Sequence, residues 1–247
     1  MRNINVVIPM AGMGSRFSMA GYEKPKPFID VGGKPMIVRV LENLYYPNAN
    51  YILIARKEHI EQELELVAKI ESEYNATFIN IDNLTQGTAC TVLFARKYIN
   101  NDYPLLIANS DQIVDIKIEE FINDSIERRL DGSILTFQDL ELNPKWSFAK
   151  LNSNNLVIEV REKEVISTNA TVGIYLFNKG SEFVNGAIDM IINNDRVNDE
   201  YYTCPVYNYL IKIGSRIGIY DIEYNKMHGI GTPEDLNKYL NKLDNVF

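Results

Sequence analysis

An apolar run at residues 4–8 breaks off at Pro9 and is followed at once by Met10-Ala11-Gly12-Met13-Gly14-Ser15-Arg16, with Lys26 ten residues on inside Pro25-Lys26-Pro27. A short run with no polar alternation is the mark of a strand buried on both faces, as in a parallel sheet. Glycines straight after such a strand let the backbone pass close to a ligand and turn its N–H groups outward. Oriented N–H groups together with one guanidinium and one ammonium make a cradle for several phosphate oxygens at once. This spacing predicts a strand, a phosphate-binding turn and a helix. Met10, Ala11, Gly12, Gly14, Ser15, Arg16 and Lys26 are its candidate nucleotide-binding residues.

The rest of the first half alternates in the same sense. Residues 51–55, 76–81 and 105–108 read as strands, and 36–44, 58–73 and 88–98 as helices, the second of these with Ile60, Leu64, Val67 and Ile70 at helical spacing. Such alternation predicts an α/β fold with a doubly wound, mostly parallel sheet, in which ligands lie beyond the carboxyl ends of the strands. The second half is richer in strands: 133–138, 147–151, 156–161 and 171–177, with a hairpin turn at 152–155 and a further strand at 217–222. Helices are expected at 181–193, at 205–213 and after Thr232-Pro233. No repeat or linker divides the 247 residues, so they read as one domain, 1–247. Its nucleotide-binding half is about 1–130 and its acceptor-binding half about 131–247.

Composition narrows the partners. A net charge of −8 sets the chain against a nucleic-acid polyanion, while the few local cations suit a small anionic ligand. Two cysteines, Cys90 and Cys204, build no disulfide framework and no metal-ligand spacing, and read as small buried hydrophobes. Arg2 is the only early positive charge and no apolar run nears the roughly 20 residues of a spanning helix, so the sequence predicts neither signal peptide nor membrane partner. The expected location is the cytoplasm. Neither His59 nor His228 has the context of a triad hydrolase, and His59 is expected on an exposed helix start. A homo-oligomer is compatible with the sequence, which offers no exposed apolar stripe to decide the matter.

Three further clusters carry chemistry. Ser110-Asp111 ends an apolar strand beside the cradle, where an α/β enzyme would hold Mg²⁺ on its substrate's phosphates. Gln86-Gly87-Thr88 enters a helix, with an amide to read a base edge and small residues to admit a flat ring. Glu162-Lys163 ends one strand and Thr171-Val172-Gly173 begins the next; there Lys163 would face an acceptor's phosphate and Glu162 its hydroxyls or amine. Trp146 and Tyr201-Tyr202 are candidates for the wall of that acceptor pocket.

In these motifs the chain resembles the sugar-phosphate nucleotidyltransferases, or pyrophosphorylases, over nearly its whole length. The resemblance rests on Ala11-Gly12-Met13-Gly14-Ser15-Arg16, Lys26-Pro27 and Gly33-Lys34-Pro35-Met36 in that order, then Gln86-Gly87-Thr88-Ala89, Asp111, Glu162-Lys163, Thr171-Val172-Gly173 and Gly231-Thr232-Pro233-Glu234-Asp235. It implies a Rossmann-like, GT-A-like fold and the reaction of a nucleoside triphosphate with a phosphorylated small molecule, releasing pyrophosphate. Arg16, Lys26, Asp111 and Lys163 are the implied catalytic residues, with Asp111 on Mg²⁺. The branch it resembles most is that of the capsule and surface-polysaccharide cytidylyltransferases acting on phosphocholine or phosphoglutamine, which favours CTP. Uridylyl or thymidylyl transfer to a sugar 1-phosphate is the alternative. One departure stands out: the family usually has an Asp two residues before the Gly-Thr, as second metal ligand, and this chain has Gly229 there. Asp111 with the phosphate oxygens, or Glu200, would then complete the metal site. A nucleotide-binding regulatory homologue without turnover is the reading of another class.

A glycosyltransferase of related fold fits less well, since Asp111 is followed two residues on by Ile113 where such enzymes have a second Asp. A dinucleotide oxidoreductase fits less still, because Phe17 stands where its third glycine belongs.

Overall fold

The computed structural model describes residues 3–244. Arg2 and the last residues of the half expected to run to 247 lie outside them. In chain order the first half comprises β1 (Ile4–Pro9), α1 (Ser15–Met19), α2 (Met36–Asn43), β2 (Ala49–Arg56), α3 (Lys57–Gln62), α4 (Leu64–Tyr74), β3 (Ala76–Ile81), α5 (Thr88–Leu93), α6 (Arg96–Ile99), β4 (Leu105–Ala108), β5 (Gln112–Val114) and α7 (Ile118–Glu127). The second comprises β6 (Gly132–Gln138), β7 (Ser147–Leu151), β8 (Val157–Glu162), β9 (Asn169–Phe177), α8 (Gly180–Ile192), α9 (Val206–Lys212), β10 (Ile217–Ile222), β11 (Met227–Gly229) and α10 (Pro233–Asp244).

The main sheet runs β10-β6-β9-β4-β1-β2-β3, with β7 and β8 attached beside β9. Pairing is parallel along β4-β1-β2-β3 and between β10 and β6, and antiparallel where β9 meets β4 and β6. The sheet is therefore mostly parallel and flanked by helices. Its strands bury both faces: Val6, Ile8 and Leu106 join one apolar core, Val7, Leu105 and Ile107 the other. Both cores draw on residues of the first and second halves of the chain, and β4 pairs with β9 across them. That is why these strands read as continuous apolar runs. No helix among the described residues is long and apolar enough to cross a membrane.

Several local expectations are corrected. The helix expected over 58–73 breaks at Glu63, whose φ of −131° leaves the helical region and which pairs with Lys24 at 2.9 Å. The break resets the helical phase, turning Leu64 to solvent while Val67 and Ile70 stay buried. On the preceding turn His59 faces inward and is 7% exposed, against the expected exposed helix start. The helix expected over 88–98 is likewise divided between α5 and α6, at Ala95. Cys204 is buried as expected and Cys90 half-buried.

Two small elements bear on the site. β5 and β11 form an antiparallel ribbon apart from the main sheet, with Gln112 opposite Gly229 and Ile113 opposite His228. The N–H of Ile230 then donates to the Asp111 carbonyl at 2.9 Å, joining the chain after β4 to the chain before α10.

Candidate active site

The turn after β1 is shaped by Gly14, which sits at φ 62° as the N-cap of α1 and receives Phe17 N–H on its carbonyl at 2.9 Å. That left-handed residue lets the chain turn sharply, and a Cβ on it would stand 3.0 Å from the Cβ of Lys26. Gly14 thus brings Lys26, from a separate 3-10 turn over Lys26–Phe28, against the cradle. A cavity of about 540 Å³ opens there, over the carboxyl ends of β1 and β4. Met10, Ala11, Gly12, Gly14, Ser15, Arg16, Lys26, Gly87, Thr88, Ser110 and Asp111 all line it. Gln86 does not: it is exposed, and its backbone carbonyl accepts from Tyr201 N–H at 2.7 Å.

The ammonium of Lys26 pairs directly with the Asp111 carboxylate, across 85 residues of sequence. Arg16 lies exposed at the cavity edge. The cation face of the site therefore has two parts, one held on a carboxylate and one turned to solvent. Asp111 offers a single hard oxygen donor group. That suits Mg²⁺, which is commonly held by one or two carboxylates with the substrate's phosphates supplying the remaining ligands.

Gly87 enforces a long-range contact that local sequence does not show. It has φ 109° and ψ 172°, and a Cβ there would lie 2.5 Å from the backbone N and O of Tyr201. The Tyr201 carbonyl accepts from Ala89 N–H at 2.9 Å, so the start of α5 is pinned on both sides by one residue. Tyr201 is held in turn by Arg196, whose Nε donates to its hydroxyl at 2.9 Å. Tyr201 is thus buried structure rather than pocket wall.

A second cavity, of about 240 Å³, adjoins the first and shares Thr88 and Asn109 with it. Trp146, Glu162, Thr171 and Gly173 line it, together with Gln112, Ser147, Tyr175, Tyr202 and Cys204. Glu162 accepts from the Ser147 hydroxyl, and burial pushes its carboxyl above the ordinary Glu value despite that bond and the Lys163 charge. Lys163 stands outside this lining, at φ 55°, with its Nζ donating to the Tyr202 hydroxyl at 2.6 Å over the Tyr202 ring. Burial and the neighbouring Glu200 raise the Tyr202 phenol, so it stays protonated at neutral pH. A Cβ at Gly173 would collide with the Asn109 amide, so this glycine makes room for the side chain between the two cavities. Asn109 and Gln112 were not singled out from the sequence; Asn109, next to Ser110-Asp111 at a strand end, carried the signal that could have found it.

Residues 5–204 match the family described as Nucleotidyl transferase. The chain belongs to that family. A mannose-1-phosphate guanyltransferase of Schizosaccharomyces pombe is 28% identical to this nucleotidyl transferase over 71% of its chain and 50% of the yeast protein. The bifunctional protein GlmU of Methanococcus maripaludis is 27% identical over 97% of this chain and 55% of its own length. The chain thus spans about half the length of the curated relatives it matches. Among solved structures, a nucleoside-diphosphate-sugar pyrophosphorylase from Vibrio cholerae RC9 superposes with a TM-score of 0.83 and 25% identity, covering 96% of this chain and 99% of that one.

Proposed function

We propose that this protein transfers a nucleoside monophosphate from a nucleoside triphosphate to a sugar phosphate and releases pyrophosphate. The observation that carries the reading is the convergence of Arg16, Lys26 and Asp111 on one cavity, with a second, hydrogen-bonding cavity joined to it at Thr88 and Asn109. Two polyanions must meet for this reaction, and charge must be met as it moves to the leaving group.

An oxygen of the acceptor's phosphate attacks the α-phosphorus in line. A P–O bond forms, the bond from the α-phosphorus to the bridging oxygen breaks, and the electron pair leaves on pyrophosphate. Gly12 and Gly14 admit the triphosphate close to the backbone. Arg16, with its planar fork, takes the departing β- and γ-phosphates. Lys26 meets the α-phosphate as its charge spreads in the five-coordinate state. Lys163, stationed on Tyr202, neutralises the incoming phosphate, while Glu162 and its neighbours in the smaller cavity receive the acceptor's hydroxyls. Asp111 would hold Mg²⁺ here, and the ion when bound would supply electrostatic stabilisation of the leaving group.

The small residues Gly87 and Thr88 in the lining of the larger cavity favour a small flat ring, which puts the pyrimidine donors CTP, UTP and dTTP first. GTP stands beside them because the yeast relative is named a guanyltransferase. Sugar 1-phosphates are the leading acceptor class, and a nucleotide-activated sugar for capsule or surface polysaccharide is the product we infer. Thermal melts with each triphosphate, with and without Mg²⁺, test the donor half. A ligand at 100 times its Kd stabilises the fold by about 2.7 kcal/mol, so the true donor gives one clear Mg²⁺-dependent shift. A flat response to every triphosphate removes the reading.

A further inference from the structure

The Lys26–Asp111 pair is a built feature of the fold. Gly14 packs on the Cβ of Lys26. On the opposite side, a Cβ at Gly231 would collide with Asp111 Oδ2 and stand 3.5 Å from Lys26 Nζ. Two glycines from distant parts of the chain thus box in the ion pair, and the Ile230 N–H bond to the Asp111 carbonyl fixes the wall that carries Gly231. The two side chains are only 21% and 22% exposed, so water screens their attraction less than it would on an open surface. Among the described residues no group of three or more His, Cys, Asp or Glu side chains could hold a metal ion. Asp111 and Glu200 are the two carboxylates that line the cavity, and Asp111 is the one with a lysine ammonium already on it.

We propose that Lys26 closes Asp111 to divalent cations until a triphosphate draws the ammonium away, so that metal enters the site only together with nucleotide. A cation approaching Asp111 in the free protein meets like charge at hydrogen-bond range from the carboxylate. A triphosphate reverses that balance, because its oxygens compete for the ammonium and bring their own cation with them. Lys26 then passes from the carboxylate to the phosphate, and the cation takes its place on Asp111. Reading the larger cavity as a triphosphate site is needed only for the opening half of this exchange. The closed half is a property of the free protein.

The test uses Mn²⁺ alone, with no nucleotide, and reads paramagnetic broadening of backbone amides in the ¹⁵N-labelled protein. The wild type is expected to show no localised broadening at Ser110, Asp111, Ile230 and Gly231. Lys26→Met keeps the aliphatic stem against Gly14 and removes the charge. It is expected to broaden those amides at Mn²⁺ levels lower by about tenfold or more. Adding Asp111→Asn to that variant is expected to abolish the effect. Broadening of the wild type at the same Mn²⁺ as Lys26→Met overturns the proposal, and so does a Lys26→Met protein that gains nothing. Lys26→Gln repeats the experiment should the methionine variant melt early. The comparison is read at the Mn²⁺ level that broadens Lys26→Met, where site-specific broadening of the wild type refutes the closed state. Failure of the triphosphate reading shows separately, as an absence of nucleotide-dependent thermal shifts.

Discussion

Gly12 and Gly87 line the same cavity, yet alanine at each should fail in opposite ways. At Gly87 the new Cβ would stand 2.5 Å from two backbone atoms of Tyr201, at a φ of 109° and ψ of 172°. That conformation is nearly glycine-only and costs a side chain about 1–3 kcal/mol. Relieving the clash pushes Tyr201 away, which weakens its bonds to Gln86 and Ala89 at 2.7 and 2.9 Å. Each such bond contributes about 0.5–1.5 kcal/mol. Together Gly87→Ala should cost about 2–6 kcal/mol, a fall in Tm of roughly 4–24 °C for a chain of this size. At Gly12 a Cβ meets nothing within 4 Å, so Gly12→Ala should melt within about 2 °C of wild type. It should instead lose about tenfold or more in triphosphate affinity, because the methyl group occupies space a phosphate needs against the backbone. Calorimetric melts and titrations with the best-stabilising triphosphate read both effects. A Gly87→Ala protein that melts with wild type, or a Gly12→Ala protein with full nucleotide affinity, would refute the reasoning.

Four further outcomes are expected. Lys26→Ala should lower kcat by about 10² or more, as for the deletion of a contact made in the transition state, with steady-state pyrophosphate release as the assay. Glu162→Gln should raise KM for the acceptor far more than KM for the nucleotide; because Glu162 titrates above the ordinary Glu value, the acid limb of wild-type acceptor kcat/KM should lie above pH 4.5 and change in the variant. Burial lowers His59 below its usual 6.5, so below that pH the unfolded chain takes up the proton first and stability falls; His59→Gln should flatten the loss of urea stability as pH falls through 6.5. Gly229→Asp should fold normally, since a Cβ there meets only Gln112 Nε2 at 4.0 Å, and should lower the Mg²⁺ needed for half-maximal rate by about threefold or more through a second carboxylate near Asp111.

What was legible in the sequence was local. A buried strand, two glycines and an arginine within one turn predict β1 and the cradle, because strand burial and glycine geometry act over a few residues. Asp111 was legible for the same reason, as the first carboxylate after the apolar run of β4. Pairings between distant segments were not. Nothing near Gly87 announces that Tyr201 will lie on it, and nothing near Gly173 announces the Asn109 side chain it makes room for. The β5–β11 ribbon that sets Gly229 opposite Gln112 is three residues per strand, too short for any alternation to show. The break at Glu63 within residues 58–73 was not legible either, because its ion-pair partner Lys24 lies far away in the sequence.

The central claim is that two anionic substrates react in two joined cavities, and pyrophosphate release tests it most directly. Each triphosphate is mixed with each of glucose, mannose and N-acetylglucosamine 1-phosphates in Mg²⁺, for wild type and Lys26→Ala. Release is expected to need both substrates together, to be strongest for one pairing, and to be lost in the variant. Phosphate or pyrophosphate release from triphosphate without acceptor, or release that Lys26→Ala leaves unchanged, would contradict it.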